Sequence, residues 1–246
     1  MPLIQAEQLT KIYGSGETAV TALDHVDLVV EPGEFAAIMG PSGCGKSTLL
    51  HLLGGLDRPT SGRVLMHGKA LNDLSDDALT KLRRLSMGFV FQFYNLIPVL
   101  NACENAALPV LLDGVTPADA LARSKEWLER VGLGDKLRSR PDQLSGGQQQ
   151  RVAVARALVA EPKLVLADEP TGNLDSRSSD EIAALLRQVA DEWGRAVIMV
   201  THDARIAAMA RRVLFMKDGR IVDQGAVEGG KSGGADWVTA RMRQLT

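Results

Sequence analysis

The sequence is poor in several features that mark special classes of protein. Only two of its 246 residues are cysteines, Cys44 and Cys103, and aromatic residues make up 4%. The cysteines have neither a metal-ligand nor a disulfide-framework spacing, so a reducing compartment is expected. Apolar runs such as residues 164–167 and 196–200 fall far below the roughly 20 residues that cross a bilayer. Any membrane role must therefore come through a partner.

An excess of basic charge is also missing. The chain has 28 Lys and Arg against 30 Asp and Glu, a formal net charge of -2, whereas nucleic-acid-binding domains usually carry a basic surplus. We therefore expect no nucleic-acid partner. Residues 1–5 lack a basic segment followed by an apolar stretch, so no secretory signal is expected. The composition, 45% hydrophobic and 24% charged, is that of an ordinary folded domain.

Strand-like and helical segments alternate along the chain. The patterning predicts an antiparallel pair of strands over residues 3–13 and 20–30, and a polar hairpin around residues 60–62. Residues 95–142 are helical in pattern with prolines as punctuation, which indicates a helical insertion. The strand and helix alternation that follows predicts a parallel α/β sheet. A glycine-rich stretch at residues 229–234 and a short last helix are expected to end the chain.

The strongest motif is a phosphate-binding loop that follows a strand and opens a helix. It matches G-x-x-x-x-G-K-[ST], and its residues are Gly40, Pro41, Ser42, Gly43, Cys44, Gly45, Lys46 and Ser47. Glycines let backbone N–H groups turn toward phosphate oxygens at the positive end of the helix. We expect Lys46 to reach the β and γ phosphates of a nucleotide and Ser47 to bind Mg²⁺.

An apolar strand delivers two carboxylates at its C-terminal end, where ligands bind in open α/β sheets. These carboxylates belong to Asp168 and Glu169. We expect Asp168 to hold Mg²⁺ through the coordination shell of the metal. Glu169 lies one step further toward the γ phosphate, and we expect it to orient and deprotonate the attacking water.

A second anion site is predicted at residues 144–151, which read Leu-Ser-Gly-Gly-Gln-Gln-Gln-Arg. Ser145 would cap a helix whose first turn presents free N–H groups through two glycines. With the two preceding motifs, this segment resembles the signature of the ATP-binding cassette (ABC) family. The resemblance implies ATP hydrolysis and a head-to-tail homodimer that forms on ATP binding. The residues implied to act in trans, on nucleotide held by the other copy, are Ser145, Gly146, Gly147, Gln148 and Asp175.

Further positions match the family pattern one by one. Gln92 resembles the glutamine that contacts Mg²⁺ and water and reports nucleotide state to the membrane partner. His202 resembles the switch histidine at the γ phosphate, and residues 173–175 resemble the loop that crosses the dimer interface. Tyr13 falls where the family stacks an aromatic ring on adenine, and Thr48 completes the implied ATP site. The implied catalytic residues are Lys46, Glu169 and His202, and the implied metal ligands are Ser47, Gln92 and Asp168.

The resemblance also implies a fold, namely an α/β P-loop NTPase with a RecA-like core, an antiparallel β subdomain and an inserted α-helical subdomain. An ABC ATPase domain would span residues 1–225, with the core and β subdomain in residues 1–92 and 145–225. The helical subdomain would span residues 93–144, and residues 226–246 would form a glycine-rich tail with a short helix. ATP and Mg²⁺ are the implied ligands.

Residues 90–98, 104–105, 108–109 and 168–175 resemble the macrolide-exporter and lipoprotein-releasing subfamily. Its permeases have four transmembrane helices and a large extracytoplasmic domain, which would hold this chain at the cytoplasmic face of the cell membrane. Residues 93–112 would then receive the permease's coupling helix, although part of them would serve the subdomain's own core.

The same motifs bear on three other functions. A regulatory ATPase, similar to the cell-division member of this subfamily and moving no solute, stays open. A soluble cassette of DNA repair or translation predicts a long coiled-coil insertion or two cassettes in one chain, and the sequence has neither. A guanine-nucleotide switch is disfavoured because no N-K-x-D element is present.

Overall fold

The structure is a computed structural model that describes residues 1–227 and 230–245. Its strands are β1 (Ile4–Tyr13), β2 (Val20–Val30), β3 (Phe35–Met39), β4 (Ser61–Met66), β5 (Lys69–Ala70), β6 (Met87–Phe91), β7 (Leu164–Asp168), β8 (Ala196–Val200), β9 (Arg212–Lys217) and β10 (Arg220–Ala226). Its α-helices are α1 (Lys46–Leu53), α2 (Asp76–Ser86), α3 (Ala102–Leu112), α4 (Pro117–Arg130), α5 (Gly146–Leu158), α6 (Ser176–Asp191), α7 (Ala204–Ala207) and α8 (Gly230–Leu245). Among these described helices, none combines the length and apolar character needed to cross a bilayer.

Six strands form the central sheet in the order β10-β9-β3-β8-β7-β6. Strands β9, β3, β8, β7 and β6 run parallel, and β10 pairs antiparallel with β9 through the turn at Asp218 and Gly219. Every residue of β3 and β8 is buried, as expected for parallel strands that are covered on both faces. The predicted parallel α/β sheet is confirmed.

Successive residues of the central strands point into two different hydrophobic cores. Phe35, Ala37 and Met39 belong to a core that packs against helices α3 to α8. Ala36 and Ile38 belong to a second core, shared with α1, α2 and the antiparallel sheet. This division follows from the two-residue period of a strand. The sheet is therefore a rigid layer held from both sides.

A second, antiparallel sheet has the order β2-β1-β4-β5, which confirms the predicted pairing of the first two strands. The predicted hairpin at residues 60–62 is wrong, because Ser61 begins β4 and the turn into β5 lies at His67 and Gly68. Glycine is required at position 62 for a different reason, because a Cβ there would stand 2.3 Å from the carbonyl oxygen of Gln8. The lack of a side chain at Gly62 lets β1 approach β4 closely. In the sequence alone, the same glycine indicates a turn.

The insertion between β6 and α5 contains α3 and α4, which pack on each other and on α5. Helix α3 begins with a reciprocal cap, in which the Asn101 side chain accepts from the Glu104 N–H and the Glu104 carboxylate accepts from the Asn101 N–H. Thr116 caps α4 in the same region. Buried Asn105 bonds the backbone of Ile97, Leu100 and Asn101 and so holds the approach to α3.

The last helix, α8, is longer than the sequence suggests. Residues 230–234, part of the glycine-rich stretch that the sequence analysis set apart from the last helix, lie in its first turns, whereas residue 229 lies outside the described part of the chain. Gly234 is buried and has no room for a side chain, and the Trp237 ring packs edge-on against Phe215 at 5.8 Å. Packing on the core has overridden the low helix propensity of glycine.

Candidate functional site

Four neighbouring parallel strands end at one edge of the central sheet. Ile38, Val200, Asp168 and Phe91 are register partners across β3, β8, β7 and β6. The chain segments that follow these residues must therefore emerge side by side, at the edge where open α/β sheets bind ligands. They contain the phosphate loop, His202, Glu169 and Gln92.

The phosphate loop packs tightly on one side and is open on the other. A Cβ on Gly40 would stand 2.2 Å from the Met216 carbonyl oxygen, and a Cβ on Gly45 would stand 2.2 Å from that of Ala22. Gly43 has a φ of +79°, and a Cβ there would meet no atom within 4 Å. Helix α1 starts directly after the loop, and its first N–H groups have no acceptor within the helix. The open side therefore fits an anion such as a nucleotide phosphate.

Lys46 lies inside the curve of this loop. Its side chain is buried, and its Nζ donates to the carbonyl oxygens of Gly40 and Pro41, both at 2.9 Å. Burial raises the pKa of the neighbouring Cys44 thiol, which keeps that thiol neutral. Residues that line the adjoining cleft include Ser42, Lys46, Ser47, Thr48 and Glu169. The Lys46 ammonium is thus hydrogen-bonded to neutral carbonyls and lacks a negative partner among the described residues, and a bound phosphate would provide the opposite charge.

Ser47 and Asp168 meet although they are far apart in sequence. The Ser47 hydroxyl donates to Asp168 Oδ1 at 2.9 Å, and His51 Nε2 lies 3.7 Å from Asp168 Oδ2. Within residues 1–227 and 230–245, no group of three or more His, Cys, Asp or Glu could hold a metal by itself. A hydroxyl beside one carboxylate fits Mg²⁺, which binds few protein ligands and completes its shell with water and substrate phosphates.

Glu169 and His202 form a pair at the ends of β7 and β8. Nδ1 of His202 lies 2.9 Å from Oε2 of Glu169. Glu169 has a φ of +46°, a left-handed conformation that costs energy for a residue with a side chain. Its N–H donates to the Val200 carbonyl and its own carbonyl accepts from Gly172, which fixes that conformation. The backbone therefore places the carboxylate in the cleft beside the phosphate loop.

Tyr13 ends β1 and has an exposed ring. Its hydroxyl donates to Asp57 at 2.9 Å, and the Lys11 ammonium lies over the ring at 4.8 Å from the centroid. Burial, followed by the Asp57 carboxylate, raises the pKa of the phenol, and a bond to Thr48 opposes this effect. The contact with Thr48 places Tyr13 beside the first turn of α1. One ring face is covered by Lys11, so a base would stack on the other.

Gln92 is joined to the loop that precedes α6. Its Nε2 donates to Asn173 Oδ1 at 3.3 Å, and Asn173 Nδ2 donates to the Gln92 carbonyl at 3.1 Å. The Tyr94 hydroxyl donates to the Asn173 carbonyl. Both Tyr94 and Asn95 have positive φ, 58° and 51°. The segment after β6 is thus strained and bonded to Asn173.

Arg156 of α5 forms hydrogen bonds with the backbone of this strained segment. Its guanidinium donates to the backbone carbonyls of Tyr94, at 2.7 Å, and Asn95. Burial lowers the pKa of Arg156, but an arginine remains charged at neutral pH. The arrangement links α5, which carries the Leu-Ser-Gly-Gly-Gln motif at its start, to the residues that follow Gln92.

The Leu-Ser-Gly-Gly-Gln motif lies at the start of α5, where Ser145 is the N-cap. Ser145 Oγ accepts from the Gln148 N–H at 3.3 Å, and Gln148 Oε1 accepts from the Ser145 N–H at 2.9 Å. The predicted cap is confirmed. Gly146 lies beside Tyr94, and a Cβ on Gly147 would stand 3.0 Å from Ser178 Oγ. The cleft at this helix start shares no lining residue with the cleft at the phosphate loop.

Asp175 is the N-cap of α6. Its carboxylate accepts from the Ser178 N–H at 2.9 Å and from the Ser178 hydroxyl at 2.8 Å. These bonds, the backbone one first, lower the pKa of Asp175. The structure thus gives this residue a role in helix initiation that the sequence analysis did not anticipate. Sequence reasoning also missed His51 and Arg156, which no motif marks as partners of the site, and it did not anticipate the pairing of Asn173 with Gln92.

Known protein families and solved structures contain sequences and folds similar to this chain. The sequence model of the ABC transporter family matches residues 23–172. The chain belongs to the ABC transporter family. ABC cassettes hydrolyse ATP, and this ABC chain is an ATPase that resembles the macrolide-export and lipoprotein-release branch.

The relatives of this ABC cassette include both single-cassette and fused proteins. The lipoprotein-releasing system ATP-binding protein LolD of Shewanella frigidimarina is 50% identical over 217 residues, 88% of this chain and 91% of its own length. The macrolide export ATP-binding/permease protein MacB of Hyphomonas neptunium is 49% identical over 221 residues, 90% of this chain. The chain spans only 34% of that relative's length.

Solved structures agree with the α/β P-loop NTPase fold. A dimeric ATP-binding cassette in a post-hydrolysis state, bound to ADP and Pi, has a TM-score of 0.84 and 43% identity, and the match covers 92% of this chain and 100% of that one. The cbiO1 protein of Clostridium perfringens, part of the transporter complex cbiONQ, has a TM-score of 0.85 and 32% identity over 99% of this chain and 95% of its own.

This ABC cassette also has an apolar groove away from the phosphate loop. Residues from α2, β6, α3 and α5 line it, with Phe89, Leu108, Pro109 and Leu112 among its apolar members. The Leu112 side chain is 71% exposed. Outside the groove lining, Phe93 and Val99 are each 72% exposed. Within the predicted receiving segment 93–112, Ala106, Ala107 and Val110 are instead buried in the core, so that segment supplies both core and surface.

Proposed function

We propose that the chain powers a membrane transport complex, with two copies closing head-to-tail on two ATP molecules. The observation that carries this proposal is the convergence of Lys46, Ser47, Asp168, Glu169 and His202 at one edge of the sheet, beside an open phosphate loop. Such a cluster can position a phosphate chain and an attacking water. In phosphoryl transfer, this positioning and the stabilisation of charge account for most of the protein's contribution to catalysis.

Each residue of the cluster has a distinct task. Lys46 and the loop N–H groups would bind the β and γ phosphates, and Ser47, Asp168 and Gln92 would hold Mg²⁺. The metal would neutralise charge that develops on the phosphate oxygens. Glu169 accepts the proton of the attacking water and His202 keeps its carboxylate in place, which the contact of 2.9 Å supports.

Closure in a dimer explains the second anion site. Ser145, Gly147 and Gln148 line a cleft separate from the phosphate loop, so within one copy these residues and the intervening Gly146 have no nucleotide to bind. In a head-to-tail pair they would cover the γ phosphate of the other copy, and Asp175 would lie at the shared interface. The dimeric state of a solved relative supports this arrangement.

The chain would work through a membrane partner. Relatives named as ATP-binding/permease proteins and as lipoprotein-releasing ATP-binding proteins support a permease as that partner. Its four transmembrane helices and large extracytoplasmic domain are part of the proposal and rest on the subfamily resemblance alone. The complex would export a substrate or release lipoproteins, with this chain at the cytoplasmic membrane face. The groove lined by Phe89 and Leu112 would receive a cytoplasmic segment of that permease.

The test uses Glu169→Gln, which keeps the shape of the side chain and removes the base. We expect it to bind ATP, to lose nearly all turnover and to shift from monomer to dimer on adding MgATP, as measured by light scattering on a size-exclusion column. Glu126→Gln, on the exposed face of α4, is the matched control and should hydrolyse ATP as the wild type does. Near wild-type turnover in Glu169→Gln would remove Glu169 from the role of base.

A further inference from the structure

Gln150 of α5 is a polar residue with no exposed surface. It follows the Leu-Ser-Gly-Gly-Gln motif, and its exposed fraction is 0%. Residues three and four positions apart are neighbours on a helix, so Gln150 shares a face of α5 with Gly146 and Gly147. A buried amide costs free energy unless its donors and its acceptor are paired. The contacts of this amide therefore indicate why a glutamine stands at this position.

The amide nitrogen of Gln150 bonds two segments that carry proposed site residues. Nε2 donates to the Pro170 carbonyl at 2.6 Å and to the Phe91 carbonyl at 3.3 Å. Pro170 directly follows Glu169, and Phe91 directly precedes Gln92. One side chain of α5 thus holds the backbone beside the proposed base and beside a proposed metal ligand.

The amide oxygen of Gln150 is unpaired. Oε1 is buried and has no hydrogen-bond partner among the described residues. Methionine has a side chain of similar length and would fill the same space without burying this oxygen. Because a buried unpaired polar atom lowers stability, packing alone does not account for the glutamine. The group that methionine lacks is the Nε2 donor, so the two bonded segments are the reason for the amide.

One of these segments contains a strained backbone. Glu169 has a φ of +46°, and a side-chain-bearing residue keeps such a conformation only where its surroundings hold it there. The Glu169 N–H donates to the Val200 carbonyl, and its carbonyl accepts from the Gly172 N–H. The bond from Gln150 to Pro170 holds the next residue. Loss of that bond would let the strained conformation relax and displace the carboxylate.

The two segments also pack on each other. Phe91 and Asp168 are register partners at the ends of β6 and β7. A Cβ on Gly172 would stand 2.8 Å from Nε2 of Gln92, so the turn after Glu169 lies directly against the Gln92 side chain. A displacement of one segment would therefore disturb the other.

We infer that Gln150 is a positioning residue for ATP hydrolysis, which fixes the backbone of Glu169 and of the neighbouring segment against α5. This inference rests on the proposed role of Glu169 as base and adds a residue that acts through it. Gln150 itself contacts neither nucleotide nor water in this account. Its effect on turnover comes from where it holds the carboxylate.

Gln150→Met tests the amide, because it keeps an apolar side chain of similar length and removes the donor. We expect turnover to fall about 10- to 100-fold, the effect of a small misplacement of a catalytic group. ATP affinity should change only slightly, because Lys46 and the phosphate loop are untouched. Steady-state hydrolysis and a fluorescent-nucleotide titration measure the two quantities separately.

Dimer formation distinguishes positioning of the base from support of the helix start. Gln150→Met leaves the residues at the start of α5 unchanged, so it should still close on MgATP. Since its hydrolysis is slow, it should accumulate as a dimer, as expected for Glu169→Gln, in light scattering on a size-exclusion column. The double variant should hydrolyse ATP no more slowly than Glu169→Gln alone, because both changes act on the same carboxylate.

Two further variants and a stability measurement complete the test. In Gln150→Glu, a buried carboxyl stays protonated and donates one bond in place of two, so it should keep part of the turnover that Gln150→Met loses. Gln188→Met is the matched control, because that amide bonds Glu192 at the end of α6, and it should hydrolyse ATP as the wild type does. Gln150→Met leaves the Pro170 carbonyl without this donor but removes the unpaired oxygen, so its melting temperature should shift by less than about 4 °C.

Several outcomes would overturn the inference. Wild-type turnover in Gln150→Met would show that the amide is not needed. Loss of the ATP-dependent dimer together with turnover would assign Gln150 to the helix start, and a large fall in melting temperature would make its role structural. Glu169→Gln is measured alongside. If it keeps wild-type turnover, the proposed base fails and this inference fails with it, whereas an inactive Glu169→Gln beside an active Gln150→Met refutes this inference alone.

Discussion

Nδ1 of His202 lies 2.9 Å from Oε2 of Glu169, joining the residues that follow two neighbouring parallel strands. Glu169 is already fixed in a left-handed backbone conformation. The histidine adds a side-chain contact that limits where the carboxylate can point. A base that is positioned before the substrate arrives needs little reorganisation in the transition state.

His202→Ala should therefore act on catalysis more than on binding. We expect turnover to fall about 100-fold or more, within the range of lost catalytic groups. ATP affinity should change only a few-fold, because Lys46 and the loop N–H groups stay in place. Steady-state hydrolysis and a fluorescent-nucleotide titration separate these two quantities. A loss of affinity as large as the loss of turnover would contradict the assignment.

Lys46→Ala should show the opposite balance. Removing the buried ammonium takes away the main positive charge of the phosphate loop, so ATP affinity should fall by about tenfold or more. Lys125→Ala, on α4, is a matched control, because among the described residues that exposed lysine forms its ion pair with exposed Glu129 of the same helix. Unchanged ATP affinity in Lys46→Ala, measured by the same nucleotide titration, is incompatible with the role given to the loop.

Two loop glycines should respond differently to alanine. Gly45→Ala forces a Cβ against the Ala22 carbonyl and strains a φ of +98°, so it should destabilise the fold by about 1–3 kcal/mol. Gly43→Ala has free space but the same kind of φ, so its Cβ would enter the cleft and weaken ATP binding. Thermal unfolding and nucleotide titration of both variants decide between the two effects. Equal loss of stability in both would argue against this distinction.

The Asp175 cap makes a pH-dependent contribution to stability. Because the Ser178 bonds hold the pKa of the Asp175 carboxyl below its usual value in the folded state, the ionised cap stabilises the fold above the unfolded pKa. That contribution is lost as the pH falls through the folded pKa. Asp175→Asn keeps a capping acceptor but does not titrate. The difference in melting temperature between the two chains should be constant above about pH 5 and shrink below pH 4.

Much of the fold follows from local patterns in the sequence. The buried runs of β3, β7 and β8 are short and apolar, and their parallel pairing follows from the intervening helices. The glycine-rich start of α8 could not be predicted from local propensity, because the packing that favours a helix there, around Gly234 and between Trp237 and Phe215, is tertiary. Likewise, Gly62 serves an approach between strands that local sequence cannot distinguish from a turn.

Site residues could be predicted where they belong to a short sequence motif whose residue types indicate their chemical role. Ser47 and Asp168 were each assigned from their motifs, and their meeting depends on the register of β3, β8 and β7. The amide pair of Gln92 with Asn173 and the support from Arg156 join segments that are distant in sequence. No periodicity or spacing encodes such contacts, because they depend on how the inserted helices dock on the sheet.

The central claim is that each nucleotide is enclosed by the phosphate loop of one copy and the signature helix of the other. Mixing two inactive variants, Lys46→Ala and Ser145→Arg, tests this claim most directly by ATP hydrolysis. Half of the randomly formed dimers would have one intact composite site, so activity should return to about a quarter of the wild-type value. If both variants are inactive alone and the mixture stays inactive although mixed dimers form, the signature does not act in trans and the account is wrong.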